Sequence, residues 1–386
     1  MGPLKGLKVI EMAGLGPTPF GGMVLCDLGA DVLRIDRAVP VPSIGPSARF
    51  DLLGRGRKSV ALDLKRPEGV EAVLRLVEKA DVLMEGFRPG VMERLGLSPN
   101  ACWIRNASLV YARTTGWGQS GTLATTAGHD INYIGLAGAL HAIGRHEQPP
   151  TPPHSFLGDF GAGGSMLVAG VLAALYEVRS SGKGQVIDVS IVDGTAQLMT
   201  SLWGRLAHGS WRDERGTNML DSGAPFYDVY ETSDGKYMSV GALEPGFYAN
   251  LLRVLGLNVG ELPSQHDQSR WPELKARIAA AFKTRTRHDW EEAFGGVDAC
   301  VSPVLSVAEA PSHPHNIDRQ AFVEVEGLTQ PAPSPRFSRT PSGIRGAAPC
   351  AGQDTEESLL AWGFGQSEVH ALLRSGAAMQ VGNTNA

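Results

Sequence analysis

In the first half of the chain, a histidine and an aspartate each sit beside a glycine, and a second aspartate follows the histidine. In Ala127-Gly128-His129-Asp130-Ile131-Asn132-Tyr133-Ile134, a histidine and a carboxylate follow a glycine where a loop would turn into a helix. Further on, Leu157-Gly158-Asp159-Phe160-Gly161 repeats the arrangement, with an acid at the mouth of a second helix. Two proton carriers at two helix N-termini suit an enzyme that removes a proton and returns it from another side. The positive ends of the helix dipoles favour carboxylates and developing oxyanions, and their free N–H groups can hold an enolate oxygen. Glu244, in Gly241-Ala-Leu-Glu244-Pro245-Gly-Phe-Tyr248, follows a strand and precedes a helix, where an acid could orient a histidine and raise its basicity. Each residue also has a plainer reading. His129 could be a structural histidine bonded to backbone, Asp130 and Asp159 helix caps, and Glu244 a surface acid. The pair of helix mouths taken together favours chemistry.

Other motifs say less on their own. Gly14-Leu-Gly16-Pro-Thr-Pro19 after the first strand, with Asp36 ending the second, imitates a dinucleotide-binding fingerprint. Pro19 replaces its third glycine and Pro17 stiffens the turn, so nicotinamide binding is not expected. Phe87-Arg88-Pro89-Gly90-Val91 and Thr115-Gly-Trp117-Gly-Gln119-Ser-Gly121 are loops whose glycines let backbone approach a ligand closely. Arg34, Arg37, Arg55, Arg57, Lys58, Lys65, Arg66 and Arg88 gather early in a chain of formal net charge −5. They read either as a solvated surface or as a local phosphate-binding patch. The lack of an overall basic excess argues against a nucleic-acid partner.

The elements that must position these residues follow a βαβ pattern. Residues 8–12, 31–36, 60–64, 81–85 and 108–113 read as strands, with helices over 20–28 and 67–79 between them, which implies a mostly parallel sheet. The Asp159 segment opens the strongest helix, ending at the glycines of 180–184, and is followed by a strand over 186–191 and a helix over 195–206. Alternation over 226–230 and 237–240 around Ser233-Asp-Gly-Lys236 signals a hairpin. Helices follow at 246–256, 271–283 and 288–295. The expected architecture is α/β: a Rossmann-like large domain over 1–200 and a smaller α+β domain over 215–320. Residues 330–386 supply an extended linker starting at Gln330, then helices over 355–362 and 368–374 that return to the large domain, with the last ten residues frayed. Cys26, Cys102, Cys300 and Cys350 have no metal-ligand spacing and read as reduced residues, so no metal is expected. The N-terminus lacks the apolar core of a signal peptide, and Met166–Val178 is too short to cross a bilayer. A cytoplasmic protein with no membrane partner is expected.

Together these segments resemble the family III coenzyme A transferases and, within them, the racemase branch. The resemblance rests on Asp27-Leu-Gly-Ala-Asp-Val, Arg34-Ile-Asp-Arg37, Asp63-Leu-Lys65, Phe87-Arg-Pro-Gly-Val, Gly116-Trp-Gly-Gln, Asn218-Met-Leu-Asp-Ser-Gly-Ala-Pro-Phe-Tyr227 and Asp298-Ala-Cys-Val-Ser-Pro-Val, in this order. Gly128-His129-Asp130-Ile-Asn-Tyr133 and Leu243-Glu244-Pro245 mark the racemase branch, since a typical transferase lacks the histidine. The resemblance implies an interlocked homodimer that interconverts the epimers of 2-methylacyl-CoA thioesters through an enolate, with coenzyme A as substrate handle and no resident cofactor. It implies that His129 and Asp159 are the acid/base residues and that Glu244 pairs with His129, reaching over from the other subunit. The backbone N–H of Asp130 would hold the thioester oxygen, and Arg37, Arg88 and Lys65 would contact the phosphate-bearing end of coenzyme A. Ser155 departs from the family pattern, which places an asparagine there to bond the catalytic aspartate. The alternatives are a transferase using Asp159 as nucleophile, and an acyl-CoA-binding protein without chemistry.

Overall fold

Runs of apolar residues with no polar alternation, such as Val9-Ile10 and Val82-Leu83-Met84, suit strands covered on both faces. They build the central sheet of the first of two compact units in this computed structural model, which describes residues 2–39 and 47–382. Its parallel strands are β1 (Lys8–Met12), β2 (Asp31–Arg37), β3 (Lys58–Leu62), β4 (Val82–Glu85), β5 (Val110–Thr115) and β6 (Val186–Ser190). They lie in the order β3-β2-β1-β4-β5-β6, with Ile10 opposite Leu33 on one side and Leu83 on the other. The order reverses between β1 and β4, and the crevice beyond the strand C-termini at such a point is where α/β sheets take ligands. Helices α1 (Pro17–Asp27), α2 (Pro67–Val77), α3 (Val91–Arg94) and α4 (Pro99–Arg105) follow β1, β3 and β4. Proline near the first position of α1, α2 and α4 presets φ where an N–H would be unpaired anyway. One face of the sheet buries Val73, Leu76 and Tyr111, and the other buries Leu25, Leu167 and Val171.

After β5 come α5 (Asp130–Leu136) and α6 (Ala139–Ala142). A 3₁₀ turn over His154–Phe156 then runs into a π-helix, Leu157–Ser165, and on into α7 (Met166–Ser181). Asp159 therefore does not open this helix, as its position in the sequence suggests, but lies inside a widened first segment. Glycines make that segment possible, because neighbouring helices crowd it on two sides. A Cβ on Gly164 would stand 2.6 Å from the Phe20 ring in α1, and one on Gly194 would stand 2.4 Å from the Ala162 carbonyl oxygen. The continuous run from His154 to Ser181, 28 residues containing an 18-residue stretch of mean hydropathy 1.5, is long and apolar enough to cross a membrane by length and composition. It exceeds the Met166–Val178 stretch visible in sequence, and its Leu167, Val168, Val171 and Ala174 are buried. The single helix expected over 195–206 is two helices, α8 (Ile191–Leu198) and α9 (Thr200–His208), broken at Met199.

The second unit comprises residues 138–153 and 199–319. Its antiparallel sheet joins β7 (Tyr227–Glu231), β8 (Tyr237–Gly241) and β9 (Val301–Val304) in that order, with Gly235 at φ 74° in the hairpin turn. Helices α10 (Pro245–Leu255), α11 (Trp271–Phe282), α12 (Arg287–Phe294) and α13 (Pro314–Asp318) accompany it, and Phe226, Phe282 and Trp290 fill its core. Residues 138–153 lie within the first 200 in sequence but pack here. Arg145 pairs with Asp228, and Arg215 Nε donates to the Gln148 carbonyl at 3.0 Å.

The rest of the chain belongs to the first unit. Gln330 is not linker. It lies in a hairpin of β10 (Phe322–Val325) and β11 (Leu328–Pro331), where its side chain accepts from Arg55 Nη1 at 2.9 Å. Helices α14 (Thr355–Ala361) and α15 (Gln366–Ser375) follow, and β12 (Ala378–Met379) adds antiparallel to β3. The expected fraying thus fails at Ala378–Met379, which are tied into the sheet, while 383–386 lie outside the described residues. The Asp354 carboxylate accepts the Ser59 N–H of β3 at 2.9 Å. Helix propensity alone would favour Gly194→Ala by about 1 kcal/mol. Because the methyl would meet the Ala162 carbonyl, the expected outcome in urea unfolding is instead a loss of about 1–3 kcal/mol.

Candidate active site

Three loops emerge from the C-terminal ends of β1, β4 and β5, on either side of the point where the strand order reverses. The first ends at Gly16, which has φ 68° and precedes α1. A Cβ there would stand 3.0 Å from Asp159 Oδ2, so the Asp159 carboxylate lies directly over this backbone at the mouth of α1. Pro17 and Pro19 have no N–H, which leaves that helix mouth with fewer donors for an anion than most.

His129 stands at the N-cap of α5 with its ring exposed. Its N–H donates to Asn132 Oδ1 at 3.0 Å, and the Asn132 N–H returns to the His129 carbonyl at 2.8 Å. The Asn132 side chain and the His129 carbonyl thus share in making this cap. Asp130 is buried, and its Oδ1 accepts the backbone N–H of Asp159 at 2.6 Å. One hydrogen bond thus ties the two helical segments together, in a role for the Asp130 side chain that the sequence does not suggest. The Tyr133 hydroxyl donates to the Gly128 carbonyl, and its ring meets Trp117 edge-on at 4.8 Å, docking the loop after β5 onto the mouth of α5.

The electrostatics follow from this packing. Partial burial pushes the Asp159 carboxyl up to about 6, and the neighbouring Asp130 charge adds to the rise, while His129 opposes it. Burial also raises Tyr133, with Asp159 adding to the shift and Arg88 lowering it, so Arg88 acts within the same field. The structure brings together His129, Asp130 and Asp159, with Arg88 exposed on the loop after β4. Arg37 ends β2 and Lys65 follows β3, both exposed along the same sheet edge on the other side of β1. Glu244 belongs to the second unit, exposed at the N-cap of α10. Ser155 lies in the 3₁₀ turn, between His154 at φ 60° and Phe156, whose rings stack at 4.8 Å. Sequence reasoning passed over Tyr133, although it shares the His129 motif. It also passed over Glu85, whose signal is a lone acid ending an apolar strand. Among the described residues no three His, Cys, Asp or Glu side chains group as a metal site.

Residues 4–355 match the profile described as CoA-transferase family III. The chain belongs to the family III CoA-transferases. It is 48% identical to a mouse protein named Alpha-methylacyl-CoA racemase over 369 residues, covering 95% of each chain. A human protein of the same name is 45% identical over 96% of each. Among solved structures, a CAIB/BAIF family protein from Brucella suis superposes with a TM-score of 0.81 at 25% identity, covering 94% of this chain and 99% of that one. Within this family architecture, the raised Asp159 carboxyl has a consequence for stability. Its folded-state value lies above the unfolded one, so the native state holds more protons between about pH 4 and 6, and stability falls as pH rises through that window. Asp159→Asn removes the penalty. Thermal unfolding should show the variant gaining stability over the parent at pH 8 and little or nothing at pH 4.

Proposed function

We propose that this chain is a 2-methylacyl-CoA epimerase, an isomerase that moves one proton at the carbon α to a thioester. The observation that carries the reading is the junction of the two proton carriers: His129 caps α5, the next residue bonds the backbone of Asp159, and His129 acts on the Asp159 carboxyl. The identities to racemases support it over the full span of the fold. Sulfur delocalises poorly into a thioester carbonyl, so the enolate is accessible. His129 takes the α-proton on one face while Asp159 returns one on the other, with roles exchanged in reverse. Each must come within about 3 Å of the proton it moves. An Asp159 titrating near 6 suits both roles, since it is readily ionised as a base and readily protonated as an acid. The Asp130 N–H, one of the unpaired donors of the first helical turn, holds the thioester oxygen.

Arg88, Arg37 and Lys65 contact the phosphates of coenzyme A, whose remote binding energy positions the small reacting centre. Coenzyme A is then the substrate's handle, and neither a resident cofactor nor a metal is needed. Glu244 pairs with His129 from the partner copy of a homodimer. Ile131, Leu136 and Phe156, apolar and exposed on the segments around both catalytic residues, support a covering second copy. Four free cysteines suit a reducing compartment and support a cytoplasmic placement.

In heavy water, deuterium should wash into the α position of a 2-methylacyl-CoA, and His129→Ala and Asp159→Ala should each slow the exchange by about 10²–10⁴-fold while the fold persists. Absence of exchange with every branched thioester, or transfer of coenzyme A to an added acceptor acid, overturns the reading. In the direction that uses Asp159 as base, the rate should climb as pH rises through about 6.

A further inference from the structure

Glu85 closes β4 at the sheet edge and is buried, yet the proton chemistry makes no use of it. Its Oε2 accepts the Phe87 N–H at 2.7 Å, which fixes the first turn of the loop that carries Arg88. Its Oε1 lies 3.3 Å from Nε of Arg113, its register partner on β5. The same guanidinium reaches three further places. Nη1 donates to Gln119 Oε1 at 3.0 Å, Nη2 pairs with Glu93 on α3, and the plane sits 5.2 Å from the Tyr111 ring centre. Glu85 and Glu93 flank the Arg88 loop, so one arginine holds both of its ends. Gln119 belongs to the glycine loop whose Trp117 packs against Tyr133, at the mouth carrying His129.

Stability alone explains this hub poorly. Burial pushes the Glu85 carboxyl up to about 7, with Glu93 and Asp188 adding to the rise and the Phe87 N–H and Arg113 opposing it, so the ionised acid is costly to keep. Buried ion pairs in general contribute little net stability. What distinguishes this one is where its arms end: on the two loops that flank the crevice.

We propose that Glu85 and Arg113 are positioning residues that hold the Arg88 loop in register with the α5 mouth, so that the anionic handle of the substrate is gripped where its reacting carbon meets His129 and Asp159. The inference rests on the acyl-CoA reading above, and two measurements on the full-length protein keep the two apart. Deuterium exchange by the parent protein tests the reaction. Calorimetric titration with coenzyme A, and with pantetheine, which lacks the nucleotide phosphates, tests the hub whatever the reaction proves to be.

Glu85→Gln keeps the shape and removes the charge. It should weaken coenzyme A about tenfold, the size of a coupled pair, and leave pantetheine within about twofold. In an Arg88→Gln background the same substitution should cost less than about twofold further. An equal loss for pantetheine, a full loss in the Arg88→Gln background, or an unchanged affinity for coenzyme A each overturns the proposal. Should Glu85→Gln fail to fold, Arg113→Lys keeps the charge without the fork that spans both ends of the loop, and the same pattern of losses is expected.

Discussion

The structure around Asp159 depends on how closely backbone can approach backbone along residues 157–165. This π-helical segment is wedged against α1, where Gly164 faces Phe20, and against α8, where the Ala162 carbonyl faces Gly194. On its third side Gly158 meets the Asp130 carboxylate. Phe160 stacks on Phe20 at 4.9 Å and closes the wedge. Side chains larger than hydrogen at these glycines would push the segment outward and carry Asp159 away from Gly16. A widened helix costs some hydrogen-bond quality, and such segments are found disproportionately at functional sites.

The same wedge sets the charge balance. Asp159 faces a helix mouth whose prolines withhold donors, and it is half-buried beside a second carboxylate. Burial and the Asp130 charge disfavour its ionisation, and His129 opposes them. The carboxyl is thereby shifted toward neutrality, beside a histidine that stays exposed.

Much of this was legible in the residues. Period, β-branched runs and Asp-Gly turns place most strands and helices within a few positions, since those signals report local backbone preference and burial. The glycine-histidine-aspartate run marks the α5 mouth correctly because capping is also local. The misses share a different cause. The early start of the helical run at His154, the break at Met199 and the strand at Gln330 are decided by distant partners. Gln330 becomes a strand residue through Arg55, 275 positions away. The Asp130 side chain bonding Asp159, and Arg113 gathering four groups, are likewise tertiary facts that no spacing in the sequence announces.

One long-range feature bears on how the chain is made. The hydrogen bond from Ser59 to Asp354 spans 295 positions, and β12 completes the sheet on the same side of β3. During synthesis, therefore, β3 can pair with β2 early but keeps an open edge until nearly the whole polypeptide has emerged. An unpaired parallel edge of that kind invites wrong partners, and pairings this remote are slow to form. The nascent first unit must thus remain unfinished while the entire second unit is being translated, so that the final residues to join the sheet govern when the molecule is safe from aggregation.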